Sequence, residues 1–468
     1  MSFNLFDHDR GSVVAPAGCG KTQAIVDALI EHGGHAALIL THTNAGVAAL
    51  KSRLSKAKVP SQSFRLSTID GWAMRLANTF PRLSAAPASL DGRVDYPATR
   101  RAALRAVASR ALDAPIRATY SRLVVDEYQD CSRDQHAIIL SLAERLKTCV
   151  LGDPLQRIFD FRPADHPDWD GNVESAFPRI GEFTTPWRWI NAGQGPFGEW
   201  VLSLRPALLG GLPIDLRGAP ANVTWVPLPS DAAALHVAQA RAVNGIRPLP
   251  GQSLLIIGDS KNRQSRSDFA RKMPGLNVVE PVDLGDLVDA ATAIEAASGL
   301  HRLRATLDFA GQVMTEVDIA GLGKRLQSLQ AGTARNPADG VETACLRFAQ
   351  DDGYSTVNGV LRALAGSSRR TFRHHLLAAM FDALSRILHR PGMSLVEATV
   401  AAREQRRVLG RALPSRAVGS TLLLKGLESE HAMVLNADDM NARHFYVAVS
   451  RASHSLTIFS GSPVLRFN

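Results

Sequence analysis

The sequence predicts an α/β fold built on parallel sheets, and three observations carry that expectation. Short continuous apolar runs alternate with segments of helical periodicity, as expected of strands covered on both faces by crossover helices. An early run, Ser12-Val13-Val14, leads into Ala15-Pro16-Ala17-Gly18-Cys19-Gly20-Lys21-Thr22. This is a small residue, four spacers and Gly-Lys-Thr, the spacing of a phosphate-binding loop. A later run, Leu123-Val124-Val125, ends directly in two acids, Asp126 and Glu127.

Each element follows in order. Ser12 to Val14 form a short buried strand, and Gln23 to His32 a helix with Ile25, Ala28 and Leu29 on one face, ended by Gly33-Gly34. Backbone N–H groups of the intervening loop then point at polyphosphate oxygens at a helix N-terminus. Lys21 reaches the β- and γ-phosphates, and the Thr22 hydroxyl ligates Mg²⁺. Ala36 to Leu40 form the next strand, whose polar tip, Thr41 to Asn44, opens a helix carrying Val47, Leu50 and Leu54. Phe64 to Thr68 repeat the unit, with Asp70-Gly71-Trp72 leading into a helix. In such sheets ligands collect beyond the carboxyl ends of the strands, so both tips project to the same edge as the phosphate loop.

Residues 83 to 118 break the rhythm. They are rich in Ala and Arg, and Thr99 to Leu112 reads as a helix bearing Arg100, Arg101, Arg105 and Arg110, either a solvated basic face or a nucleic-acid contact. After the strand Leu123 to Val125, Asp126 suits Mg²⁺ support and Glu127 a general base. Ser132 opens a helix with the Ser-x-x-Gln spacing of a capping box. A fifth strand, Thr148 to Leu151, ends in Gly152-Asp153-Pro154-Leu155-Gln156, which brings the Gln156 amide near a γ-phosphate. Phe159 and Phe161 alternate beside Arg162, a pattern that suits stacked bases and equally suits a core.

The remaining chain reads as a second α/β set. Arg188 stands between Trp187 and Trp189, and the Pro- and Gly-rich stretch from Gly193 to Pro220 reads as a domain crossing. Strand, helix and strand follow at Asn222 to Val226, Ala232 to Ala242 and Ser253 to Ile257. Asp283 to Ala412 are mostly helical, with basic clusters at Arg369 to Arg373 and Arg406-Arg407 that read as solvated faces. The α/β pattern resumes at Ser420 to Leu424, followed by Lys425 to Glu428, a strand at Met433 to Leu435, a helix at Asn441 to Ala452 and a closing strand at Leu456 to Phe459. No internal repeat is visible.

Bulk composition adds bounds. The 468 residues exceed one compact core and carry a formal charge of +9, which fits a polyanionic partner or plain solubility. The 4 cysteines show no metal-type spacing and read as reduced thiols. No apolar run is long enough to span a bilayer and no leader pattern opens the chain, so a soluble, cytoplasmic protein with no membrane partner is expected.

Taken together, these segments resemble the superfamily 1 helicases of the Rep/UvrD/PcrA type, in order along nearly the whole chain. The phosphate loop matches motif I, Thr41 to Asn44 motif Ia, Thr68 to Trp72 the next DNA-contact motif, and Asp126 to Asp130 motif II. Gly152 to Arg162 match motif III, Trp187-Arg188 motif IV, Lys425 to Glu428 motif V, and Tyr446 to Ala452 motif VI. The resemblance implies two RecA-like P-loop domains with small helical insertions. Domain 1A spans 1–192 with a reduced 1B-like insertion at 83–118; domain 2A spans 193–282 and 413–468; a 2B-like insertion spans 283–412. It implies an ATP-dependent DNA helicase or translocase using Mg²⁺, the alternatives being a DNA-sensing ATPase subunit of a nuclease or defence complex and a nucleotide-gated DNA-binding module, with Ala15 to Thr22 and Glu428 at the nucleotide and Thr22 and Asp126 at the metal. Lys21, Glu127, Gln156, Arg188 and Arg451 would act in hydrolysis. Thr41, Asn44, Thr68, Phe159, Phe161 and Arg162 would meet single-stranded DNA or a single/double-strand junction.

The pattern departs from the family at several points. No glutamine lies in the first ten residues, where the family carries one that reads adenine; His42 replaces an aromatic, Ile69-Asp70 a Phe-His pair, and Leu422 a histidine. The compact size also resembles the helicase-like subunit of the Gabija anti-phage system, which implies a nuclease or other protein partner.

Overall fold

The computed structural model describes residues 4–32, 35–85, 95–158, 165–281, 283–390, 392–409 and 414–467, the side chains of 406–409 apart. The chain divides into two compact units, residues 1–230 with 426–468, and residues 231–425. It forms two six-stranded sheets, the α/β architecture expected of two RecA-like domains.

The first sheet lies wholly in the first unit. Its strands are β1 (Arg10–Val14), β2 (Ala37–Thr41), β3 (Phe64–Thr68), β4 (Arg122–Val125), β5 (Lys147–Gly152) and β6 (Arg179–Glu182). They are ordered β3-β2-β4-β5-β1-β6, every neighbour parallel. Successive residues of a strand face opposite sides, so each strand feeds two cores. Val14, Leu38, Leu40, Leu123, Val125 and Val150 pack on one face; Val13, Ala37, Ile39, Val124, Cys149 and Leu151 pack on the other. Helices α1 (Lys21–Glu31) and α2 (Asn44–Lys56) cover the second face through Ile25, Val26, Leu29, Leu50 and Leu54. The Gly33-Gly34 pair expected to end α1 lies outside the described residues.

Helices α3 (Ile69–Thr79), α4 (Tyr96–Ala108) and α5 (Arg133–Ala143) cover the first face. The α5 N-terminus is the capping box read from Ser132 and Gln135. Helix α4 ends at Ala108, short of Leu112, and Arg110 has a positive φ of 62°. Its alanines are in the core: Ala102, Ala103, Ala106 and Val107 are all fully buried. Two of its arginines are spoken for. Arg100 forks onto Asp70 at 2.7 Å through both Nε and Nη2, and Arg105 donates to the carbonyls of Ser84 and Ala85 at 3.0 and 3.1 Å. Arg101 and Arg110 remain on the surface.

A short helix, α6 (Trp187–Asn191), precedes the stretch expected to be a domain crossing, Gly193 to Pro220, and that stretch itself contains α7 (Gly195–Leu209). Composition misleads here because Pro196 sits in the first turn, where its missing N–H costs nothing, and Phe197, Val201, Leu204 and Leu208 bury one face. Three strands of the second sheet also belong to this unit: Val223–Pro227, Ser429–Val434 and Ala452–Ser460, paired in parallel.

The second unit holds Leu254–Ile257, Asn277–Val278 and Arg416–Gly419, again parallel. The strand expected at Ser420 to Leu424 is instead Arg416–Gly419, because the Ser420 side chain accepts from Leu423 N and caps a short helix, Thr421–Leu424. Between 285 and 409 the described chain is helical and shares one apolar core with Leu307, Val360, Met380 and Leu384 at its centre. The basic run at 369–373 is half-buried at Arg369 and Arg370 and buried at Arg373, and its arginines are bonded to the chain rather than forming a solvated face. Arg373 forks onto Glu280 at 2.6 and 2.7 Å and reaches Asp286 at 2.5 Å, while Arg370 donates to the carbonyls of Ala270 and Arg271. The Arg406 and Arg407 side chains lie outside the described residues. No described helix is long and apolar enough to cross a membrane.

Arg373→Met would leave the buried Glu280 carboxylate without its fork, and urea denaturation is expected to show a loss of about 3–5 kcal/mol. A loss below about 1 kcal/mol would mean that this ion pair does not hold the second unit together.

Candidate nucleotide site

The loop after β1 is held open by backbone geometry. Ala15 N donates to Gly152 O at 2.8 Å and Cys19 N to Pro16 O at 3.2 Å, while Gly18 and Gly20 have φ of 72° and 88°. Gly20 caps α1 with no side-chain acceptor, so no side chain spends the first N–H groups of the helix. Side chains of α6 press against the same loop. A Cβ on Gly18 would fall 2.7 Å from Trp189 Cζ3 and 2.9 Å from Arg188 Cβ, and one on Gly20 3.0 Å from Trp187 Cδ1. Arg188 N also donates to Gly18 O at 3.0 Å, and the buried Trp189 donates through Nε1 to Ala452 O at 2.8 Å.

Two carboxylates meet the loop lysine. Lys21 Nζ lies 3.2 Å from Asp126 Oδ1 and pairs with Glu127 Oε1. Burial alone would lower the Lys21 ammonium, but Asp126 and Glu127 outweigh it and hold the group above its ordinary value. Burial pushes Asp126 upward against the pull of Lys21. Glu127 has a left-handed backbone, φ 56°, uncommon for a residue with a Cβ. Its N–H donates to Asp126 Oδ1 at 2.9 Å, and Gln129 Nε2 donates to its Oε2 at 2.5 Å. Thr22 follows in the first turn of α1, half-buried.

A group of arginines completes the site within the same unit. Arg451 is 3% exposed and, among the described residues, donates only to neutral oxygens: Val447 O at 2.8 Å, Ser450 Oγ at 3.0 Å, Leu427 O at 3.1 Å and Gln156 Oε1 at 3.5 Å. Burial, then the neighbouring Arg188 charge, pull its guanidinium down to about 10. Arg188 pairs with Glu428, donates to Ser450 O and lies 5.3 Å from the Trp189 ring centroid, and its buried Nε has no partner among the described residues. Burial would raise the Glu428 carboxyl, but Arg188 and then Arg451 bring it below its ordinary value. The buried Gln156 donates to Asp153 Oδ2 at 3.0 Å.

This arrangement suits a polyphosphate. The loop offers N–H donors, and three cations converge beside it, one of which has no carboxylate partner among the described residues. For a metal, no three His, Cys, Asp or Glu gather among the described residues. Thr22 and Asp126 supply the hard oxygens that suit Mg²⁺, an ion that takes its other ligands from phosphate and water.

The residues expected to touch nucleic acid are placed unevenly. Thr41 and Thr68 are register partners at the ends of β2 and β3. Thr41 is 0% exposed, which withdraws its hydroxyl from direct contact with a strand in this conformation. Asn44 is exposed at the start of α2, and Thr68 Oγ1 accepts from Gly71 N at 3.0 Å as the α3 cap. Phe159, Phe161 and Arg162 lie outside the described residues. Sequence inspection missed Arg205, a buried cation of α7 bonded to Asp153. Its signal was a lone charge in a stretch otherwise uncharged and mostly apolar, Val201 to Leu208.

Residues 89–170 match the UvrD/REP helicase N-terminal domain family. A stretch of 59 residues is 34% identical to the Gabija protein GajB of Bacillus cereus (strain VD045), covering 12% of this chain and 12% of that one. Among solved structures, the Arterivirus nonstructural protein 10 helicase, alone and with DNA, overlays 97% of this chain at a TM-score of 0.31 and 9% identity. The chain spans 62% of the length of the DNA-bound viral protein and 61% of the other.

All four cysteines are buried, and burial pushes Cys19, Cys149 and Cys345 up to about 12 and Cys131 well upward. At pH 8 they therefore stay protonated, and Ellman's reagent is expected to label none rapidly in the native protein and all after unfolding. Rapid labelling of one thiol, traced to Cys19, would show that the phosphate loop opens.

Proposed function

With residues 89–170 matching the UvrD/REP helicase N-terminal domain family, we propose that the chain is a superfamily 1 helicase of the UvrD/Rep type that hydrolyses ATP and uses the energy to move along single-stranded DNA. The observation that supports this best is Arg451: a buried guanidinium bonded only to neutral oxygens, beside a phosphate-binding loop, is a cation prepared for an anion that comes and goes.

In this scheme the loop residues Ala15 to Gly20 bind the phosphates through backbone N–H groups, and Lys21 exchanges its carboxylate partners for β- and γ-phosphate oxygens. Thr22 and Asp126 would hold Mg²⁺, which when bound offsets charge on those oxygens. Glu127, freed from Lys21 and oriented by Gln129, accepts the proton of the attacking water. Gln156 senses the γ-phosphate. Arg188 and Arg451 stabilise the charge of the transition state, a contribution worth ~10³ to 10⁵ in turnover where arginines play this role. Glu428 releases Arg188 as the phosphate arrives and relays the change toward DNA.

The proposed frame is domain 1A at 1–192, domain 2A at 193–282 and 413–468, and the helical 283–412 as a 2B-like insertion. Asn44 and Thr68 contact the strand, with Phe159 and Phe161 stacking on bases, and travel is 3′ to 5′ with unwinding of short duplexes. A second reading, favoured by the match to the Gabija protein, is an ATPase that senses DNA within a complex containing a nuclease or other protein partner and does not unwind processively.

The test is the steady-state ATPase rate with no nucleic acid, single-stranded DNA, duplex DNA and RNA at two salt concentrations. Strong, salt-sensitive stimulation by single-stranded DNA is expected for a motor. A flat low rate with every polymer would instead favour the partner-dependent reading. Glu127→Gln is expected to keep ATP affinity while lowering turnover on the order of 10²- to 10⁴-fold. Unchanged turnover in that variant would remove Glu127 as the base.

A further inference from the structure

One buried ion pair beside this site has no part in the scheme above. Arg205 lies on α7 among Val201, Leu204 and Leu208, and its Nη1 is 2.8 and 2.9 Å from the two oxygens of Asp153 and 3.0 Å from Tyr446 Oη. Its guanidinium also sits 5.3 Å from the Tyr446 ring centroid. Three stretches distant in sequence therefore share one cation: the loop after β5, helix α7, and the helix Ala442–Val449 that leads to Arg451.

Asp153 is the hub. Its side chain is 0% exposed, its Oδ1 accepts from Leu155 N at 3.2 Å, and its Oδ2 accepts from Gln156 Nε2 at 3.0 Å. Its own N–H donates to Gln129 Oε1 at 3.0 Å, and Gln129 is the residue that donates to Glu127. A continuous hydrogen-bonded path thus runs from Glu127 through Gln129 and Asp153 to Gln156 and Arg451. The electrostatics give Arg205 its purpose. A buried carboxylate must be answered by a cation. Gln156 spans the gap between Asp153 and Arg451, so an unanswered Asp153 would draw Arg451 toward itself and away from a phosphate.

We propose, resting on the ATP-hydrolysing reading, that Arg205 is a positioning residue: it neutralises Asp153, holds Gln156 with its carbonyl toward Arg451, and so keeps Arg451 available for the γ-phosphate. The Tyr446 hydroxyl ties this pair to the segment that carries Arg451, so the glutamine and the arginine are set by the same cation. Charge on residue 205 matters more than its exact shape in this role.

The experiment compares DNA-stimulated ATP turnover and KM for ATP in the full chain, its Arg205→Met and Arg205→Lys variants, and each combined with Arg451→Lys. Arg205→Met is expected to lower kcat on the order of 10- to 100-fold with KM near the wild-type value. Arg205→Lys should recover most of kcat, and adding Arg451→Lys to Arg205→Met should cost much less than the product of the two single losses. Wild-type kcat in Arg205→Met, equal damage from Lys and Met, or multiplicative losses would each overturn the assignment. Should Arg205→Met not fold, Tyr446→Phe takes its place: a smaller kcat loss, again non-multiplicative with Arg451→Lys, supports the role, and an unchanged or multiplicative loss overturns it. A wild-type chain that neither binds nor hydrolyses ATP would overturn the hydrolysis reading itself, whereas an active wild type with an inert substitution at Arg205 overturns only the positioning role.

Discussion

A lysine ammonium buried at the mouth of a parallel sheet must be met by negative charge, and the first unit is built around that requirement. Lys21 starts α1 because the loop before it turns through two left-handed glycines. Asp126 and Glu127 reach it because β4 ends at the same edge of the sheet as β1. Glu127 meets it from a backbone conformation that a Cβ disfavours, with its N–H bonded to Asp126. Parallel register delivers this arrangement without any contact between the strands themselves, since β5 lies between β1 and β4.

Buried arginines occur in both units, and the difference among them separates structure from chemistry. Arg373 is fully answered by Glu280 and Asp286, and Arg205 by Asp153 with Tyr446. Such pairs are expensive to break and have little reason to exchange partners. Arg451 is different, because its hydrogen bonds go to carbonyls, a hydroxyl and an amide, while the nearby Glu428 carboxylate is bonded to Arg188 instead. Arg188 stands between the two cases, with one carboxylate partner and one buried donor unused. A group that is solvated but not neutralised can take up and release an anion at small cost, which suits a cycle more than a scaffold.

Close packing reinforces the electrostatics. Trp187, Arg188 and Trp189 approach Gly18 and Gly20 so closely that a Cβ on either glycine would collide or touch. The loop conformation and the position of α6 are therefore one structural decision. The bond from Trp189 Nε1 to Ala452 O extends it to the strand that follows Arg451. Small residues do the same for α4, where Ala102, Ala103 and Ala106 let the helix lie in the core against α3 and α5.

Local features were legible in the sequence because they depend on neighbours a few residues away. The phosphate loop, the two-residue alternation of the strands, the acidic end of β4 and the Ser132–Gln135 capping box all appear where residue type and spacing place them. What the sequence could not assign was the partner of each charge. The arginines at 100, 370 and 373 look like basic surface until Asp70, Glu280 and backbone carbonyls are brought to them from elsewhere in the chain. Thr41 looks like a polar tip until β3 and the start of α2 enclose it, and Gly193 to Pro220 look like a linker until α7 finds an apolar surface to cover. The amino-acid sequence by itself determined most elements of the first sheet, their parallel arrangement and the Gly-rich loop after β1. Only the tertiary structure decided which cations are neutralised and which stay available, because burial and pairing are set by residues distant in sequence, as with Lys21 and Glu127 or Arg205 and Tyr446.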